Sequence, residues 1–197
     1  MSRIALSAPV PRTPLHTRTI ECRGYRRDDT LYDIEGHLVD VKSVAFHNMD
    51  RGEVKAGEPI HEMWIRLTVD LNLHVVDVEA QTVWGPYAAC GDITPDFKRL
   101  KGLSIKQGWT QKTRALLGGT KGCTHLVELL GPVATTAFQT VYADKVDRER
   151  QNGEEVKPPQ IDSCHIYASD GPVVEKVHPE YYTGPRKRQI DPRTPLA

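Results

Sequence analysis

No pair of cysteines in this chain of 197 residues is close enough in sequence to form a CxxC motif: Cys22, Cys90, Cys123 and Cys164 stand far apart. That spacing argues against a zinc-finger or disulfide scaffold and predicts free thiols in a reducing compartment. Net charge is missing too, because 26 Lys and Arg balance 26 Asp and Glu, so no overall field draws the chain to nucleic acid or to an anionic membrane. No apolar run approaches the roughly 18 residues of a membrane span. The short piece IALSAPV, interrupted by Pro9 and Pro11, is too weak for a secretory leader, so the expected location is cytoplasmic. GxGxxG, Walker, GxSxG and HExxH patterns are all absent, which leaves nucleotide-dependent, serine-hydrolase and zincin chemistry without support. Chemistry that needs only proton transfers stays open.

The length suits one domain with tails. Residues 1–15 carry Pro9, Pro11 and Pro14 and read as an extended N-terminal arm; residues 181–197, Pro-rich and basic, read as a flexible C-terminal tail, leaving a single body over 16–180. The basic GPRKRQIDPR stretch has no aromatic platform beside it, so it is expected to be solvated rather than bound to nucleic acid.

Within the body, HTRTIECRGY and LYDIEGHLVDVKS favour strands joined through RRDDT as an antiparallel hairpin, with Tyr32, Ile34 and Leu38 on one face and Asp33, Glu35 and His37 on the other. A second hairpin follows, with Met63, Ile65, Leu67 and Val69 in one apolar row and a turn near DLN. After a Gly- and Pro-containing loop bearing Cys90, PDFKRLKGL and WTQKTRALLGG read as short helices. GCTHLVELLGPVATTAFQTVYADKV is the strongest helical segment, with an apolar stripe through Val133, Ala137 and Val141 and an expected break or kink at Gly131 and Pro132. Beyond a charged loop, IDSCHIYAS and GPVVEKV each suggest a short strand or turn. Strands first and helices after indicate an α+β fold: an antiparallel sheet of two hairpins with helices packed on one face.

Chemistry-bearing residues concentrate in TKGCTHLVELLG. Thr124 is the expected N-cap, placing Cys123 just outside the helix, His125 in its first turn and Glu128 one turn on. His61 shares the parity of the apolar row, where an imidazole needs a partner. If the second hairpin packs beneath the long helix, His61, Cys90, Cys123 and His125 converge at one pole. Two imidazoles and two thiolates would suit one zinc or iron ion. Without metal, the same pole offers His61 or His125 as base, Glu128 to orient it, and Arg66 or Tyr87 to hold an oxyanion. The bland alternatives are a packed thiol, a solvated histidine and a carboxylate favoured by the helix dipole. Trp64 and Trp84 fit core packing, a pocket wall or the contact of a homo-oligomer.

RGYRRDDTLYDIEGHLVDVK, AGEPIHEMWIRLTVD and GCTHLVELLGPVATTAFQT together resemble the bacterial family known as domain of unknown function 2889. Its members are common in proteobacteria that degrade aromatic compounds. The resemblance therefore implies an enzyme or accessory protein of aromatic, including lignin-derived, catabolism, and a lyase releasing a small aldehyde by retro-aldol chemistry fits that setting. In layout the chain is also similar to iron–sulfur cluster scaffold proteins of the IscU and NifU type. That similarity implies His61, Cys90, Cys123 and His125 near a metal-ligand region and, as an alternative, a metal or iron–sulfur-binding accessory protein.

Overall fold

A computed structural model describes residues 8–153 and 156–184. Two long hairpins join as one antiparallel sheet: β1 (His16–Arg26), β2 (Tyr32–Lys42), β5 (Pro59–Val69) and β6 (Val75–Trp84), in the order β1-β2-β5-β6. Between β2 and β5 the chain inserts a small separate hairpin of β3 (Phe46–Asn48) and β4 (Gly52–Val54), for which the sequence pattern gave no expectation. The β5–β6 turn is held by the Asp70 carboxylate, which accepts the amides of Asn72 and His74 at 2.8 and 2.9 Å, while Leu73 takes the left-handed conformation at φ 62°.

Strand alternation decides the core. Tyr32, Ile34 and Leu38 of β2 and Met63, Ile65, Leu67 and Val69 of β5 are buried on one face, as their period of two requires. Helix α2 (Thr124–Gln151) lies across that face and buries Leu126, Leu129, Leu130, Val133, Ala137 and Val141. Each fully buried aliphatic side chain contributes about 1.5–3 kcal/mol. The backbone approach is close: a Cβ added to Gly36 would come within 2.6 Å of Val133, and one added to Gly24 would overlap Thr140. Those two glycines are spaces for the helix. Helix α1 (Trp109–Leu117) packs beside α2, its Trp109 indole donating to the Leu130 carbonyl at 3.0 Å.

Three local expectations are corrected. Helix α2 runs through Pro132 without a break, because burial of its apolar stripe on both sides of the proline outweighs one lost backbone bond. Cys123 rather than Thr124 takes the cap position, since its carbonyl already accepts the Val127 amide at 2.9 Å. The stretch expected as strand or turn near the end is a 3-10 turn at His165–Tyr167 followed by a short helix, α3 (Pro172–Val177). The chain forms two compact units, one ending at Val146 and one beginning at Asp147, and the body expected over 16–180 spans both. Residues 8–15 of the expected arm are exposed and lack regular structure; residues 1–7 and 185–197 lie outside the described residues. Among the described residues no helix is long and apolar enough to cross a membrane.

Candidate functional site

The inward rows of three strands end in polar residues at the same level. Arg18 of β1 is the register partner of Asp40 of β2, and Asp40 is the partner of His61 of β5, so one cross-strand rung reads Arg–Asp–His where the rungs below it are apolar. A bulge follows immediately in the β2–β5 ladder, between Asp40 and Val41, and shifts its register there. The first turn of α2 closes over this rung with Cys123, His125 and Glu128.

Asp40 is the centre. Its side chain is 1% exposed. Arg18 holds it through both carboxylate oxygens, with Nε to Oδ1 and Nη2 to Oδ2 each at 2.8 Å. Nε2 of His16 lies 3.1 Å from Oδ1, and Nδ1 of His61 lies 3.1 Å from Oδ2. His125 completes the surround, its Nε2 3.8 Å from Oδ2 and its ring tilted by 31° against that of His61 with centroids 3.7 Å apart. Arg18 also reaches out through Nη1 to Glu128. Nδ1 of His125 faces Cys123 Sγ at 3.8 Å, and that sulfur sits 3.6 Å from Met63 Sδ.

Burial by itself would push the Asp40 carboxyl up, but the hydrogen bonds and charge of Arg18, aided by His16 and His61, hold it down at about 2 against a usual 3.8. Asp40 is therefore an anion across the physiological range. The two adjoining imidazoles move below their ordinary value. Burial is the main cause for both; the neighbouring His125 adds to it at His61 and the Arg18 charge at His125, with Asp40 opposing in each case. Both are thus neutral at pH 7, the form that accepts a proton or a metal. The ligand atoms of Asp40, His61 and His125 lie within 4.8 Å of one another, so this group could hold a metal ion.

Of the residues expected from sequence, the fold brings together His61, Cys123, His125 and Glu128. It does not bring the other three. Arg66 lies on the opposite face of the sheet, between Glu35 at 3.6 Å and Glu79 at 2.9 Å, because it alternates with the buried Ile65. Tyr87 is 56% exposed in the loop after β6. Cys90 packs against Gly85, where an added Cβ would come within 2.6 Å of its own, and it is not part of the metal-capable group. Sequence reasoning missed Asp40, Arg18 and His16. For Asp40 the signal was present: it continues the row of Tyr32, Ile34 and Leu38, and a charge at core parity requires a partner.

A groove of about 430 Å³ opens beside this centre between α1 and the start of α2, walled by Trp109, Thr113, Leu117, Thr124, Val127 and Glu128. Glu128 is the residue common to groove and rung, through its pairing with Arg18.

Comparison with known proteins places the chain in one family. Residues 16–139 match the family described as Protein of unknown function (DUF2889). The chain belongs to that family. The matched span holds the whole sheet, the Asp40 rung and the first part of α2. No curated protein and no solved structure matches the chain, and the layout similarity to iron–sulfur scaffolds gains no support from these comparisons.

Proposed function

We propose that this DUF2889 member is a small-molecule lyase that cleaves a carbon–carbon bond of a hydroxylated aromatic compound by acid/base chemistry, releasing a small aldehyde. The observation that carries this reading is the buried Asp40 carboxylate on Nδ1 of His61. A fixed anion there selects the tautomer that leaves Nε2 of His61 as a free base and stabilises the imidazolium that forms when it takes a proton. In the proposed retro-aldol step, His61 removes the proton of the substrate hydroxyl. The carbon–oxygen double bond of the aldehyde forms as the adjacent carbon–carbon bond breaks. The electron pair left on the aryl-side carbon then takes a proton from the imidazole pair, so the net reaction needs no oxidant and no organic cofactor. His125, neutral and packed against His61, supplies the second N–H. The groove lined by Trp109 is of ligand size and meets the rung at Glu128, which suits an aromatic body lying along it. The aromatic substrate class itself rests on the setting of the family, and a cytoplasmic location accords with it.

The test is aldehyde release from phenolic compounds carrying a hydroxymethyl side chain. Release should fall about 100-fold or more in His61→Ala, the usual scale for losing a positioned base, and persist in Arg66→Ala and Tyr87→Phe. Undiminished release from the His61→Ala/His125→Ala double variant would end the proposal.

A second reading has its own observation, the mutual closeness of the Asp40, His61 and His125 ligand atoms. Two imidazoles and one carboxylate suit zinc or non-haem iron. In that reading the chain is a metal-binding accessory protein or a metal-assisted enzyme of the same catabolism. Elemental analysis of freshly purified protein should then find about one zinc or iron per chain, lost in His61→Ala. Metal-free protein with full aldehyde release would exclude it.

A further inference from the structure

The remaining nucleophile at this pole is Cys123, which the acid/base step does not use. Its sulfur lies 3.8 Å from Nδ1 of His125, while Nε2 of the same ring lies 3.8 Å from Asp40 Oδ2. Nucleophile, base and orienting carboxylate thus stand in line through one imidazole, the relation by which thiols are activated in cysteine enzymes generally. We propose that Cys123 is a nucleophilic thiol, with His125 as its base and Asp40 as the residue positioning that base, and that it adds reversibly to carbonyl carbon of the aldehyde class.

The geometry arises where the extended chain at Gly122 enters the helix. Two residues apart on a helix, Cys123 and His125 would point in different directions. Cys123 instead occupies the cap, outside the helical repeat and preceded by Gly122 in an extended conformation at φ −164°, and its sulfur faces the His125 ring. The cap position has a further consequence. The amides of the first helical turn have no intrahelical acceptor, so an oxyanion formed on a carbonyl attacked by Cys123 would meet N–H donors rather than apolar surface. The groove wall at Thr124 is the adjoining residue.

Addition balances without a co-reactant. The thiol proton passes to Nδ1 of His125, and sulfur forms a bond to the carbonyl carbon. The carbonyl π pair moves to oxygen, and that oxygen takes the proton back from His125 to give a hemithioacetal. The step reverses by the same route. It stands on the Cys123–His125–Asp40 arrangement and does not require the lyase reading; a chain that releases no aldehyde would still carry a reactive thiol.

The competing use of Cys123 is packing against Met63, and the four cysteines allow a comparison inside one molecule. Cys164 is exposed, whereas Cys123 is partly buried, so accessibility alone makes Cys164 the faster thiol. Full-length protein is treated with iodoacetamide, with and without a chelator, and alkylation of each cysteine is followed by peptide mass spectrometry. The proposal expects Cys123 to react at least about tenfold faster than Cys164 in both conditions, and to fall to or below the Cys164 rate in His125→Gln while Cys22 stays as slow as before, which reports that the variant is folded. Excess benzaldehyde should slow alkylation of Cys123 and leave Cys164 unchanged. A Cys123 slower than Cys164 throughout would overturn the proposal in favour of packing. Slow reaction relieved only by the chelator would overturn it in favour of a metal ligand. Fast alkylation with no protection by benzaldehyde would overturn the assignment to carbonyl electrophiles. None of these outcomes depends on aldehyde release, so failure here and failure of the lyase reading are separately visible.

Discussion

Two histidine–carboxylate pairs sit on opposite faces of the same sheet, supplied in part by consecutive residues of β5. On the inner face His61 meets Asp40 at 3.1 Å; on the outer face Glu62 meets His37 at 3.2 Å. The distances are nearly equal, but the surroundings are not. Asp40 is 1% exposed and clamped by Arg18, whereas Glu62 keeps 23% of its side chain in contact with solvent and His37 leans on the Trp64 ring at 3.8 Å. The lesson is that pair geometry does not make a reactive site. A pair able to exchange with water gains little from its Coulomb energy, while a buried one must be completed by further donors and then fixes the protonation states of its neighbours.

The strongest way to break the comparison is Asp40→Ala against Glu62→Ala. Removing the inner carboxylate takes from Arg18 its buried partner, leaves it Glu128 alone beside three histidines, and should cost about 3–5 kcal/mol, while the outer substitution should cost at most about 1 kcal/mol, both measured by urea unfolding. Equal losses would show that the inner rung is not a buried electrostatic unit. Acid sharpens the same contrast. A carboxyl held at about 2 in the folded chain against 3.8 otherwise contributes stability that is present above pH 3.8 and lost as pH falls toward 2, about 2 kcal/mol in all. The two inner imidazoles act earlier: because folding lowers their affinity for protons, stability should begin to decline once pH drops below about 6.5. Both phases should be visible in thermal melts across pH 7 to 2, and Asp40→Asn should diminish the second, to which other carboxyls held below their ordinary value, Asp70 among them, also contribute. Sterically, Gly36→Ala on the inner face should cost about 1–3 kcal/mol because its methyl meets Val133. The smallest effect should come from Arg66→Ala on the outer face, within about 1 kcal/mol, because its ion pairs with Glu35 and Glu79 are exposed to solvent.

Legibility in the sequence followed the same division of faces. Apolar alternation in Tyr32–Leu38 and Met63–Val69 is a local property, so strands, hairpins and the buried face could be read directly. The first turn of α2 was readable as well, and His61 stood out by parity. Arg66 alternates with the buried Ile65 and Leu67, so the strand period turns it outward, whereas Tyr87 lies in a loop where no period sets a direction. The β3–β4 hairpin escaped notice because three-residue strands carry no periodicity. Pro132 was overweighted, since its local penalty is smaller than the burial of a 28-residue helix.

The sequence by itself determined the α+β class, the family, the inward apolar rows and the clustering of Cys123, His125 and Glu128 at a helix start. Only the tertiary structure decided that Arg18, Asp40 and His61, successively 22 and 21 residues apart, share one rung and that His125 closes over it. Strand register is set by turns distant from these residues in the sequence. A buried charge acquires its partners only through that register, so no local stretch of the chain could announce them.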